Sequence, residues 1–315
     1  MKKLIIATRG SQLALWQSEH IKACLEERYP QMDVELKVMK TKGDKILDTP
    51  LAKIGGKGLF TKELEEAMLA GEAHIAVHSL KDVPTHFPEG LKLGVITKRE
   101  DARDALLSEK YDSIDALPQG AVVGTTSLRR MMQILTIRPD LKIKNLRGNV
   151  NTRIQKLKDG EFDAIILASA GMNRLGLNKE VTFVTPIERC QMIPAMGQAA
   201  LGIEIVDNDE VQAIVDFLND EEAIIETTIE RDFVKILEGG CQVPIGVNAV
   251  VGEKDVTVRC IIGMPDGKEM IKDTLTCNKE EYKTMGKELA KAMLSKGARD
   301  ILDRAEKMAM EVIFS

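Results

Sequence analysis

The sequence predicts an α/β protein made of repeated strand–helix units and closed by a smaller α+β module. Three observations carry that prediction. Short apolar runs bounded by Gly, Pro, Asn or Asp alternate with longer amphipathic stretches over most of the chain. After "EGG" (238–240) the pattern changes to three strand-like runs followed by two helical ones. Hydrophobic residues make up 44% of the 315 residues and charged ones 30%, while aromatics reach only 3%. Two or three mainly aliphatic cores are therefore expected rather than one.

Taken in order, residues 4–8 (LIIAT) read as a short buried strand and Arg9-Gly10-Ser11 as a turn. Ser11 is an N-cap for a helix from about 12 to 28, which stops before Pro30. Residues 33–40 (DVELKVMK) alternate as a strand. The segment 41–60, "TKGDKILDTPLAKIGGKGLF", has no period and carries four glycines, a composition expected of a functional or mobile loop. A helix (61–71), a strand (74–79), a turn at "KDVPT" and a strand (91–96) follow. "REDARDAL" (99–106) reads as a charged boundary. Then come strand 121–124, helix 126–137, strand 141–146, helix 149–159, strand 163–168 and a helix after "SAGMNR". This alternation implies parallel βαβ units with ligands at the strand-to-helix ends. A strand (200–206), helices at 209–218 and 221–237, strands at 245–251, 255–263 and 268–277 and a final helix pair complete the chain.

Charge and composition narrow the function. A net charge of −5 argues against general nucleic-acid binding. The N-terminal apolar run ends at Thr8-Arg9, too short for a secretory core, and no run approaches the ~18 residues of a membrane span. A cytoplasmic protein without membrane partners is expected. Five cysteines with no Cys-x-x-Cys pair argue against a disulfide framework and a closed zinc site.

Polar clusters recur where strands meet helices: "ATRGS", "HSLKDVP", "GTTSLRR", "LRGNVNTR" and "SAGMNRLG". They bring Arg9, Arg129, Arg130, Arg147, Arg153 and Arg174 together with Lys81, Thr125 and Ser127. Helix N-termini attract anions, and guanidinium forks suit carboxylates or phosphates, so a polyanion cleft is expected. Asp82, inside this set, is either a turn residue or a carboxylate that offsets a developing cation. Cys241, in "LEGGCQVPIG", sits on a tight bend. It is read as a nucleophile, an attachment point or an inert thiol, and no histidine follows His86 to serve as a nearby base in sequence. His74 and His78 would lie roughly 13 Å apart on a strand and cannot share a metal. Neither a complete phosphate loop nor a dinucleotide fingerprint is present.

Together "GDKILDTPLAKIGGKGLFTKELE", "AHIAVHSLKDVP", "GTTSLRR", "LRGNVNTR", "DAIILASAG" and "EGGCQVPIG" resemble the porphobilinogen deaminase (hydroxymethylbilane synthase) family. The resemblance runs from Leu4 to the C-terminal helices. It implies two α/β domains like type II periplasmic binding proteins, at 1–97 with 199–217 and at 103–191, plus an α+β domain at 221–315. It implies a transferase that adds four porphobilinogen units to a dipyrromethane cofactor held by a thioether at Cys241, each unit losing ammonia. Asp82 is then the catalytic aspartate. Arg9, Ser11, Arg147, Arg153 and Arg174 match substrate-carboxylate contacts. Lys81, Thr125, Ser127, Arg129, Arg130 and Arg153 match cofactor contacts, and Lys53, Lys57 and Phe60 belong to a mobile loop over the cleft. No metal is implied, and a monomer is the family expectation. The rival reading is a non-catalytic binding protein for a small polycarboxylate. Two positions depart from the family pattern: Ala199 stands where glycine is usual, and Ala102 where proline is common.

Overall fold

The computed structural model describes residues 1–41, 61–238 and 243–312. They form two compact units, one of residues 1–41, 61–100 and 199–224, the other of residues 101–198, 225–238 and 243–312. Lys53, Lys57, Phe60 and Cys241 lie outside the described residues.

The first unit is built on β1 (Lys3–Arg9), β2 (Asp33–Met39), β3 (Ile75–Ser79), β4 (Leu91–Ile96) and β10 (Leu201–Val206), in the order β2-β1-β3-β10-β4. Helix α1 (Gln12–Arg28) buries Ala14, Ser18, Ile21 and Leu25 at three- and four-residue spacing, which is one helical face. Ile21 and Leu25 pack on Leu4, Ile6, Ile75, Val77 and Ile203. On the opposite face, Leu64 and Met68 of α2 (Lys62–Leu69) pack on Ala7 and Ala76. With both faces covered, β1 and β3 are apolar runs rather than alternating strands. Helix α6 (Asp209–Val215) follows β10 in this unit.

The second unit repeats the plan with β5 (Asp104–Ser108), β6 (Val122–Gly124), β7 (Lys142–Lys144), β8 (Ala164–Ala168) and β9 (Phe183–Pro186), in the order β7-β6-β8-β5-β9. Helices α3 (Leu128–Ile137), α4 (Val150–Lys158) and α5 (Ser169–Leu175) follow β6, β7 and β8. The same unit holds a three-stranded antiparallel sheet of β11 (Ile245–Val251), β12 (Asp255–Gly263) and β13 (Met270–Asn278). Helices α7 (Glu221–Ile236), α8 (Tyr282–Ser295) and α9 (Ala298–Val312) cover it. Ile229 and Phe233, one turn apart on α7, meet Val247, Val258 and Cys260 from the sheet and Leu289 and Met293 from α8. Helix α8 comes so close to α7 that a Cβ on Gly286 would lie 2.2 Å from the Ile229 carbonyl oxygen, so only glycine fits there.

The architecture is thus the expected mixture: two sheet–helix bodies and a small C-terminal sheet module. Three local expectations are corrected. Neither large sheet is wholly parallel, because β10 and β5 run antiparallel to both of their neighbours. The charged boundary at 99–106 contains the start of β5, an interior strand whose five residues are all buried. "SAGMNRL" is itself helix α5 and does not precede one. Strand β9 corresponds to no strand expected from the sequence.

Candidate active site

In the first unit, the adjacent parallel strands β1 and β3 end at one edge of the sheet and deliver the predicted residues there. β1 ends in Arg9. Ser11 then caps α1, its Oγ accepting from the Ala14 amide at 3.4 Å, while the buried Thr8 hydroxyl donates to the Ala14 carbonyl at 3.2 Å. β3 runs directly into a single 3-10 turn, Leu80–Asp82. The buried Leu80 anchors that turn: its amide donates to the Ala200 carbonyl at 3.0 Å, and its side chain packs with Val83 and Ala200. Gln17, also buried, donates to the Ser79 hydroxyl at 2.8 Å. Lys81 is half-buried and Asp82 exposed, so the turn presents the Asp82 carboxylate from a backbone that is pinned beneath it.

Beneath that edge lies a group that sequence reasoning missed. His78 Nε2 lies 3.3 Å from an oxygen of Glu204, which is wholly buried on β10. Glu65 of α2 feels both, and burial pushes its carboxyl upward. His74 accepts the Ile5 amide at Nδ1, 2.9 Å away, and no metal-binding cluster occurs among the described residues.

In the second unit, β6, β7 and β8 end along one edge, and each is followed by a helix that, with the loop before it, carries predicted residues. After β6, the Thr125 Oγ1 accepts from the Ser127 amide at 3.1 Å, and Ser127 N-caps α3. After β7 come Arg147 and Gly148, then Asn149, which caps α4 by accepting from the Thr152 amide at 2.9 Å. Gly148 has φ +111°, a conformation L side chains rarely adopt. Its carbonyl accepts from Arg153 Nε at 2.8 Å, so the glycine orients that guanidinium. After β8, α5 carries Arg174 close to its end at Gly176. Arg147, Arg153 and Arg174 are each half-buried.

Arg129 and Arg130 are placed differently. Both are buried and turn to Asp104, the first residue of β5. Arg129 Nη1 donates to Asp104 Oδ2 at 2.7 Å and to the Ile193 carbonyl at 2.8 Å. Arg130 donates to Asp104 Oδ1 from Nη2 at 2.8 Å and from Nε at 3.0 Å, and to the Ile166 carbonyl at 2.9 Å. Gln198 adds a bond to the same carboxylate at 3.1 Å and another to the Ala102 carbonyl at 2.7 Å. Burial alone would push the Asp104 carboxyl up. The two guanidiniums outweigh it and hold the group well below the ordinary carboxylate range.

The cysteines sort by exposure. Each of the four described ones carries a free thiol. Cys260 is fully buried, and burial pushes its thiol up to about 12; burial also raises the half-buried Cys24 and Cys277. Cys190 is exposed.

Comparison with known proteins agrees with this layout. Residues 4–213 match the family described as "Porphobilinogen deaminase, dipyromethane cofactor binding domain", and residues 224–295 match "Porphobilinogen deaminase, C-terminal domain". A porphobilinogen deaminase of Sulfurimonas denitrificans is 63% identical over 309 residues, covering 98% of this chain and 99% of the relative. One from Nitratiruptor sp. is 64% identical over 310 residues, with 98% and 99% covered. One from Campylobacter jejuni is 56% identical, with 97% and 99% covered. Identity at this level over essentially the whole length of both chains leads to one conclusion: the chain belongs to the porphobilinogen deaminase family.

Proposed function

We propose that the protein joins four porphobilinogen molecules head to tail on a dipyrromethane primer, with loss of one ammonia for each, and releases hydroxymethylbilane. The observation that carries this reading is the end-to-end match to the family, including a cofactor-binding region that spans both large sheets. The chemistry of the strand edges fits the primer. A dipyrromethane carries carboxylate side chains. The edge formed by β6, β7 and β8 offers the hydroxyls of Thr125 and Ser127 and the guanidiniums of Arg147, Arg153 and Arg174.

When bound through Cys241, the dipyrromethane supplies the nucleophilic pyrrole carbon at which the chain grows. The protein's own residues do the rest. Arg9, Ser11, Arg147, Arg153 and Arg174 hold substrate and chain carboxylates, turning a bimolecular encounter into a positioned one. Asp82 holds pyrrole N–H groups and offsets the positive charge that develops as ammonia leaves the substrate. A carboxylate on a pinned turn needs little reorganisation for that task. Lys81, Thr125 and Ser127 face the primer. Arg129 and Arg130 serve it through Asp104, by fixing the loop that carries Thr125 and Ser127. Lys53, Lys57 and Phe60 belong to the segment that covers the site. On this reading the domains are 1–97 with 199–217, 103–191 and 221–315, and the enzyme is a cytoplasmic monomer.

Intact mass tests the attachment. The purified protein is expected to exceed its sequence mass by one dipyrromethane, and Cys241→Ala to lose that increment. A bare-chain mass after expression with porphobilinogen available would remove the thioether claim. Asp82→Ala should keep the increment and lose nearly all bilane formation. Near-normal turnover in that variant would take Asp82 out of the mechanism.

A further inference from the structure

The second unit carries a wide-open surface cavity of about 550 Å³, lined by Asp101, Arg103, Glu188, Arg189, Cys190 and Arg259. None of these residues has a part in the reaction proposed above. Its walls come from three places: the segment just before β5, the segment just after β9, and the middle of β12.

The charges around it are unevenly satisfied. Arg103 is fully engaged by carboxylates. Its Nε reaches both Asp101 oxygens at 3.0 Å, its Nη2 reaches Asp101 at 2.8 Å, and its Nη1 reaches Glu188 at 2.7 Å. Three guanidiniums against two carboxylates leave a net charge of +1. Asp101 and Glu188 both bond to Arg103, and Asp101 also feels the charge of Arg189, so the excess positive charge centres on Arg259 with Arg189 beside it.

Arg189 is steered from behind. Its Nη1 lies 3.5 Å from Oδ1 of the buried Asn248, whose Nδ2 donates in turn to Glu230 at 3.2 Å. Arg259 stands opposite Asn248 in the β11–β12 register and opposite Thr274 in the β12–β13 register, so neither cross-strand neighbour carries charge. Its side chain makes no hydrogen bond or ion pair among the described residues, and it is only half exposed. Across Cys190 a second, narrow cleft of about 50 Å³ begins, with Lys272 on its wall, so the positive potential extends past the cavity.

We propose that this cavity is a second ligand site, which takes a small organic anion through a carboxylate or phosphate group held by Arg189 and Arg259. Guanidinium forks bind both groups in the same bidentate way, and the volume lies within the range of small-molecule sites. Bound there, the anion ties β12 to the chain segments beside β5 and β9. Binding therefore stabilises the unit without touching the strand edges that carry the predicted reaction.

Cys190 provides the assay, because an exposed thiol in the cavity wall reports the local potential. The full-length protein, with its cofactor, is alkylated in parallel with iodoacetate and iodoacetamide, which react alike but differ in charge. Peptide mass spectrometry then gives the rate at Cys190 alone. The iodoacetate-to-iodoacetamide ratio should fall about tenfold in Arg259→Gln, the scale of local electrostatic focusing. It should also fall in Arg189→Gln, the second variant should the first misfold. Both should form bilane at the wild-type rate. In the wild type, millimolar inorganic phosphate or citrate should protect Cys190 from iodoacetate and raise the Tm, and Arg259→Gln should abolish both effects. Protection by phosphate alone marks a phosphate-ester ligand, and protection by citrate alone a polycarboxylate. An unchanged ratio in both variants, or protection by neither anion, overturns the proposal.

Discussion

Replacing Asp104 by Asn tests whether Arg129 and Arg130 are structural anchors in this chain. The carboxylate is fully buried and accepts from Arg129, Arg130 and Gln198 at 2.7 to 3.1 Å. The substitution keeps the volume and one acceptor oxygen but removes the Asp104 counter-charge from two buried guanidiniums. Breaking a buried pair from one side costs about 3–5 kcal/mol. Both arginines keep a carbonyl partner, at Ile193 and Ile166, which points to the lower end, about 3 kcal/mol. At about 2–4 °C per kcal/mol, the Tm should fall by roughly 6–12 °C. Thermal and urea unfolding of wild type, Asp104→Asn, Arg130→Gln and the double variant would measure it. The two single losses should be similar, and the double loss smaller than their sum by at least about 1 kcal/mol, because the partners share one network. If Asp104→Asn stays within about 1 kcal/mol of the wild type, or if the losses simply add, the anchoring argument fails. Arg130 would then be available to a ligand.

Other tests follow from the same geometry. Because Asp104 has a depressed pKa, its stabilisation is complete above the unfolded carboxylate value of about 3.9 and is lost as pH falls toward its folded value. A Tm series from pH 6 to pH 2 should therefore show the gap between wild type and Asp104→Asn narrowing in acid; a constant gap contradicts the linkage. Ala199 has φ +78° where an L residue is strained by about 1–2 kcal/mol. Ala199→Gly relieves that strain against about 0.4–1 kcal/mol of added chain entropy. Urea midpoints should thus be unchanged or slightly higher, and a clear drop would show that the alanine is not strained. In Gly148→Ala the new Cβ would meet Thr152 at 2.8 Å in a left-handed backbone, displacing the carbonyl that orients Arg153. Steady-state kinetics should show a raised KM for porphobilinogen; unchanged kinetics would mean that Arg153 does not depend on Gly148.

Much of the fold was legible because its signals are local. Ser11 does cap the helix that follows it, since a side-chain oxygen three residues from a free amide needs no distant partner. β4, β11 and β12 fall where alternation or an apolar run placed them. What was not legible depended on pairing across the chain. The Asp that begins β5 looks like surface in "REDARDAL" because its counter-charges lie 25 and 26 positions away in α3. The antiparallel course of β5 and β10 likewise follows from partners far along the sequence, such as Leu201 with Ser79.

The candidate site divides the same way. By itself the sequence determined which chemistry is available: carboxylate-binding arginines at strand ends, one aspartate in a turn, one cysteine between a glycine pair and a Gln-Val-Pro turn. Only the tertiary structure decided how that chemistry is used. It turned Arg129 and Arg130 inward to Asp104, and it pinned Leu80 so that Asp82 stands exposed on a fixed turn. The reason is physical. A residue's type sets what it can bind, but its burial and its partner are set by segments that meet only once the chain has folded, and those decide whether a charge serves the ligand or the fold.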